Sequence, residues 1–133
     1  MKTILGAVLV TIATTSACAQ DIIGTWRYID DKTGEPKGLV KIEKQANGTY
    51  AGTALKATPR PGYTAKEFCT NCPAPYTDKP IIGMQVITGL KTENNINYTH
   101  GKIIDPVSGK LYSLKGKISP NGKKLFLRGY LGV

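Results

Sequence analysis

The sequence predicts an all-β protein: a small antiparallel meander of about seven strands curled into a barrel. Three observations carry this reading. Fifteen glycines and 8 prolines in 133 residues require many turns. Apolar and polar residues alternate in short runs such as Leu39-Val-Lys-Ile-Glu-Lys44, the pattern of a half-buried strand. No segment shows convincing helical spacing of its apolar residues. A meander this long has two edges to protect, and curling on itself covers them.

The first nineteen residues read as an N-terminal signal peptide. Met1 and Lys2 supply the positive start, residues 4–13 the apolar stretch, and Ala17-Cys18-Ala19 an A-x-A cleavage site before Gln20. The apolar stretch is about half the roughly twenty residues that a membrane-crossing helix needs. No transmembrane segment is expected. The expected location is periplasmic or secreted, with a lipoprotein anchored through Cys18 as the alternative. Thr15 argues against lipidation, because an aliphatic residue is normally wanted there.

The remainder, 20–133, is expected to form one barrel domain. Strands are predicted at 24–30, 39–44, 49–57, 81–88, 96–104, 110–119 and 124–133. Between them lie turn signals: Asp31-Lys-Thr-Gly-Glu-Pro36, Ala46-Asn-Gly48, Asn94-Asn95, Asp105-Pro-Val-Ser-Gly109 and Pro120-Asn-Gly-Lys123. Residues 58–80 form an inserted Pro/Cys loop, since Pro59, Pro61, Pro73, Pro75 and Pro80 leave no regular ladder. Glycines within strands, at Gly52, Gly101, Gly116 and Gly129, mark places where a coiled sheet leaves no room for a side chain.

Cys69 and Cys72 are the cysteines beyond the signal, and an exported protein meets an oxidising compartment. A disulfide pinning one loop is therefore expected. A redox C-x-x-C pair would want its first thiol at a helix N-terminus, and a zinc site would want four ligands where His100 is the single histidine. Neither metal nor cofactor is expected. Asp105 is a turn starter whose carboxylate bonds its own backbone, so a Ser-His-Asp reading with His100 and Ser108 or Ser113 is set aside. Asp30, Asp31 and Glu35 lack the spacing of a calcium loop.

Eighteen basic against nine acidic residues give a net charge of +9. The lysines are scattered, which describes a solvated cationic surface, and export argues against nucleic acid as partner. Tyr28, Tyr50, Tyr98, Tyr112 and Tyr130 fall within predicted strands, where a ring can line a cavity and offer one hydrogen bond. With His100 they are the candidate ligand-lining residues.

The segments Gly24-Thr-Trp26, Cys69-Thr-Asn-Cys72, Lys79-Pro-Ile-Ile-Gly83, Gly101-Lys-Ile-Ile-Asp-Pro106, Gly109-Lys-Leu-Tyr112 and Leu127-Arg-Gly-Tyr-Leu-Gly132 occur in that order. Together they resemble the bacterial domain of unknown function 2147 family of small exported proteins, which is similar to the lipocalin-like, or calycin, barrels. The resemblance implies a barrel floor in which Gly24 and Trp26 on the first strand meet a late arginine, here Arg128, stacked on the indole. It also implies a further strand after the glycine-rich last one. The sequence given ends at Val133, so either the first and last strands pair directly or an open edge invites a partner chain.

The expected function is an exported, non-enzymatic binding module of unknown ligand, holding a small apolar or amphipathic molecule at the barrel mouth. The alternative is an envelope interaction protein that binds an anionic polymer or a partner protein through a basic face or an open strand edge.

Overall fold

The computed structural model describes the backbone of residues 2–11 and, with side chains, residues 21–59, 61–62 and 64–131. The expected cleavage site at Ala17-Cys18-Ala19, and with it Cys18, lies outside the described residues. Eight strands follow in order: β1 (Lys2–Thr11), β2 (Gly24–Asp30), β3 (Pro36–Lys44), β4 (Tyr50–Ala57), β5 (Gln85–Thr92), β6 (Asn97–Asp105), β7 (Lys110–Ile118) and β8 (Lys124–Leu131). Each pairs with the next, and β1 pairs with β8 to close the barrel. The seven-strand meander expected beyond residue 20 is β2–β8, all antiparallel.

Strand parity explains how the barrel closes. Seven consecutive antiparallel strands leave β2 and β8 pointing the same way, so they cannot pair antiparallel with each other. A strand between them, opposed to both, restores the ladder. That strand is β1, which sets Thr11 opposite Trp26 on one side and Gly6 opposite Arg128 on the other. The direct first-to-last pairing considered from sequence is thus not adopted. Residues 4–11 of the run expected to be the apolar stretch of a signal lie in the closing strand of the full chain, and their Ile, Leu and Val content suits a strand.

Alternation along the strands sends one set of side chains inward. Trp26, Ile42, Tyr50, Leu90, Tyr98 and Leu125 are almost wholly inaccessible. The Tyr50 and Tyr98 rings meet edge to face with centroids 5.6 Å apart. Ile22, buried just ahead of β2, plugs the end of the tube where β2 begins, and its carbonyl accepts the Trp26 indole N–H at 2.8 Å. Burying such side chains contributes roughly 1.5–3 kcal/mol each. The interior at this end is filled by protein.

Two expectations are corrected. Arg128 does not stack on Trp26. It alternates with buried Leu127 and Gly129 on β8 and is therefore exposed on the outer wall, whereas Trp26 points inward. Their registers on β1, Gly6 against Thr11, also differ by about 16 Å at roughly 3.3 Å per residue. The second correction concerns β5, which begins at Gln85 and not at Ile81, because Gly83 takes a φ of 93° and Met84 leaves the run to pack outside the barrel.

The inner wall is tight at Gly101 and Gly116. A Cβ at Gly101 would lie 2.6 Å from Leu90 Cδ2, and one at Gly116 would lie 2.7 Å from Leu127 Cδ2. Gly101→Ala is therefore expected to destabilise the fold by about 1–3 kcal/mol through overpacking. The shift of its urea unfolding midpoint checks this; an unchanged midpoint would show that Leu90 yields freely.

Candidate functional site

The inserted loop builds a second, smaller core on the outside of the barrel. Ile103 points inward on β6, so the adjacent Ile104 points out, and yet Ile104 is buried. What covers it is the loop: Cys69, Cys72, Met84 and Ile104 form one buried cluster, with Tyr76, Ile81 and Val86 packed against it. Cys69 and Cys72 are joined in a disulfide, as expected.

Several bonds hold this loop to the wall. Within it, Phe68 bridges Pro80, Cys69 N–H donates to Lys79 O at 2.9 Å, and Asp78 N–H donates to Cys69 O at 3.0 Å. The Thr77 hydroxyl donates to Cys72 O at 2.8 Å. Outside it, the Lys66 ammonium donates to Pro106 O at 3.1 Å, which ties the loop to the β6–β7 turn. Gly83 N–H donates to Ala54 O at 2.7 Å, which ties it to β4. Gly109 in the β6–β7 turn has a φ of 78°, and a Cβ there would collide with the Asn71 carbonyl, so a glycine lets the disulfide loop sit on the turn.

The docked loop leaves two grooves on the outer wall, one on either side of a ridge formed by Pro75 and Tyr76. The first, about 460 Å³, runs between that ridge and the outer faces of β5–β8, where Thr88, Lys102, Leu111, Ser113 and Tyr130 line it. The second, about 590 Å³, lies toward the loop's return, against Lys79, Ile82, Met84 and Gln85. Each offers apolar surface, an aromatic ring and one lysine.

The sequence-predicted residues scatter around the barrel. Tyr50 and Tyr98 are core side chains at the plugged end. The Tyr50 hydroxyl is hydrogen-bonded to the Asp21 carboxylate; its pKa is raised, first by burial and then by that negative charge. Tyr98 is also raised, chiefly by burial, and its hydroxyl has no hydrogen-bond partner among the described residues. Tyr112 is buried in the main core, while its stretch of β7 also borders the first groove. Tyr28 packs partly buried at the opposite end of the tube. Of these predicted tyrosines, Tyr130 lies half-buried on the outer wall, its ring 5.4 Å beneath the Lys115 ammonium.

His100 does not line the tube. It sits exposed in a bulge with a φ of 65°, where the β6–β7 register slips between Tyr98 and Gly101, and its Nδ1 is 2.8 Å from the Thr99 hydroxyl. Asp105 is the turn starter that the sequence suggested. Its carboxylate accepts Val107 N–H and the Ser108 hydroxyl, both at 3.0 Å, which leaves Ser108 tied into the turn. Sequence reasoning missed Tyr76, Lys102, Ser113 and Leu111. The available signal was the consecutive pair Ile103-Ile104, which breaks the alternation and betrays a strand covered on both faces.

Burial first, then the charges of Asp105, Asp30 and Asp31, push the Tyr28 phenol up to about 12. A raised phenol stabilises the fold fully below the unfolded-state value near 10 and loses that contribution as pH climbs toward 12. Between these limits Tyr28→Phe should lose stability less steeply than the wild type, by on the order of 1 kcal/mol per pH unit. Urea midpoints measured across that range test this; parallel curves would place Tyr28 in water.

The chain belongs to the family described as an uncharacterized protein conserved in bacteria (DUF2147), whose model matches residues 24–133. No curated protein matches it. Among solved structures it is similar to protein HP1028 from the human pathogen Helicobacter pylori, which is described as belonging to the lipocalin family. The TM-score is 0.63 at 17% identity, over 84% of each chain. At that identity the likeness shows the fold, a lipocalin-like barrel.

Proposed function

We propose that this DUF2147 protein is an exported, non-enzymatic binding module, periplasmic or secreted, that holds a small amphipathic molecule in the outer groove beside Tyr76, a site lined by the loop and β5–β8 and therefore unaffected by removal of β1 with the signal. The observation that carries this reading is the make-up of that groove. Pro75, Leu111 and the rings of Tyr76 and Tyr130 supply apolar area, Ser113 a hydroxyl, and Lys102 a single positive charge. Its volume of about 460 Å³ falls within the roughly 300–1,000 Å³ usual for small-molecule sites. A ligand with an apolar body and one anionic head meets those demands.

Two further features support a holding role. Trp26, Tyr50 and Tyr98 fill the plugged end of the tube and leave a ligand little room there, which supports a site on the outer wall. The disulfide and the Lys66 tether hold the loop's ridge against that wall without closing over it, so a ligand enters a preformed surface. A lipocalin-like fold fits a binding module.

The test uses 1-anilinonaphthalene-8-sulfonate, an apolar ring system carrying one sulfonate. One molecule is expected to bind, with Tyr76→Ala and Lys102→Glu each weakening it roughly tenfold, about 1.4 kcal/mol. Tyr98→Phe, inside the tube, should leave the affinity unchanged. Wild-type affinity in both groove variants, or a large loss in Tyr98→Phe, would refute the location.

A further inference from the structure

We propose that the outer face of β7 and β8 docks the protein onto an anionic lipid bilayer. The patch adjoins the groove beside Tyr76, which Leu111, Ser113 and Tyr130 of the same two strands line, but its own residues, Lys115, Lys117, Lys124, Phe126 and Arg128, are not among that groove's lining and do not depend on what it binds.

The inference starts from the strand pattern. Tyr112, Leu114 and Ile118 on β7 and Leu125 and Leu127 on β8 face the core, so Lys115, Lys117, Lys124, Phe126 and Arg128 face out, and all five are exposed. The register sets Lys115 directly opposite Arg128, and Lys117 opposite Phe126. Like charges placed across neighbouring strands repel, and folding alone gives no reason to keep them there. An acid opposite either residue would remove the repulsion.

None is present. From Lys110 to Leu131 the sequence contains six basic residues and no Asp or Glu. The ion pairs seen among the described residues, Lys37 with Asp30 at 3.2 Å and Lys41 with Glu43 at 3.6 Å, belong to β2 and β3, and Asp105 is engaged in its own turn. The β7–β8 face is thus a positive field without internal compensation, built to meet negative charge from outside.

An apolar side chain chooses the kind of anion. Phe126 is 47% exposed on the outer face, in the midst of the cations Lys117, Lys124 and Arg128. A soluble polyanion has no use for it. A bilayer does, because phosphate head groups meet the lysines while the ring enters the boundary with the acyl chains.

The experiment is co-sedimentation of the full chain with vesicles of phosphatidylcholine and phosphatidylglycerol in a two-to-one ratio, against vesicles of phosphatidylcholine alone. Binding is expected to the anionic vesicles only and to weaken as salt is raised. Lys115→Glu with Arg128→Glu should weaken it roughly tenfold or more. The exposed control Lys56→Glu on β4 should retain at least half of the wild-type affinity. Phe126→Ser should weaken vesicle binding several-fold while leaving binding to soluble polyphosphate unchanged. Circular-dichroism melting of each variant confirms that it is folded. Equal binding to neutral vesicles, wild-type binding by the double variant, an equal loss with Lys56→Glu, or no effect of Phe126→Ser would each overturn the proposal; the last would leave a soluble polyanion as the partner.

Discussion

A sheet curled into a narrow tube has one face to spend on its own stability, and in this protein the described residues fill that face at the end where β2 begins. Trp26, Tyr50 and Tyr98 converge at the end plugged by Ile22, and glycines at 101 and 116 are needed merely to let Leu90 and Leu127 fit. Close packing of this kind leaves an occupant little room at that end. The outer wall is where the proposed sites lie.

The outer wall carries two distinct regions. On one flank the disulfide loop covers Ile104 and Val86 and raises Tyr76 as a ridge between two grooves. On the adjoining flank β7 and β8 stay uncovered and carry cations around an exposed phenylalanine. Tyr130 joins the two regions, lining a groove on one side and lying beneath the Lys115 ammonium on the other. The same alternation that fills the tube thus distributes its polar and aromatic groups over the exterior.

Most of the architecture was legible from local rules. Alternation along residues 39–44 and the turn at Ala46-Asn-Gly48 are short-range signals, and β2 occupies 24–30 as predicted. The disulfide and the Asp105 turn were legible for the same reason. What failed depended on distant partners. The stack of Arg128 on Trp26 required knowing which face of β8 points inward, and β5 was displaced because Met84 finds its apolar neighbours outside the barrel. The closing strand was hidden by chemistry: a run of Ile, Leu and Val reads as the core of an export signal as readily as a strand. The groove residues Tyr76 and Lys102 come together only through the docking of a loop whose path no periodicity reveals.

A ligand on the outside of the tube perturbs the outer wall and leaves the packed end untouched. Amide and indole chemical-shift mapping of the isotope-labelled full chain, titrated with dodecanoate, tests that placement most directly. The largest shifts are expected at Ala74, Tyr76, Lys102, Ser113 and Tyr130, while the Trp26 indole N–H, held by Ile22 O at 2.8 Å, does not move. Maximal shifts at the Trp26 indole and at the Leu90 and Tyr98 amides would contradict it and return the ligand to the interior.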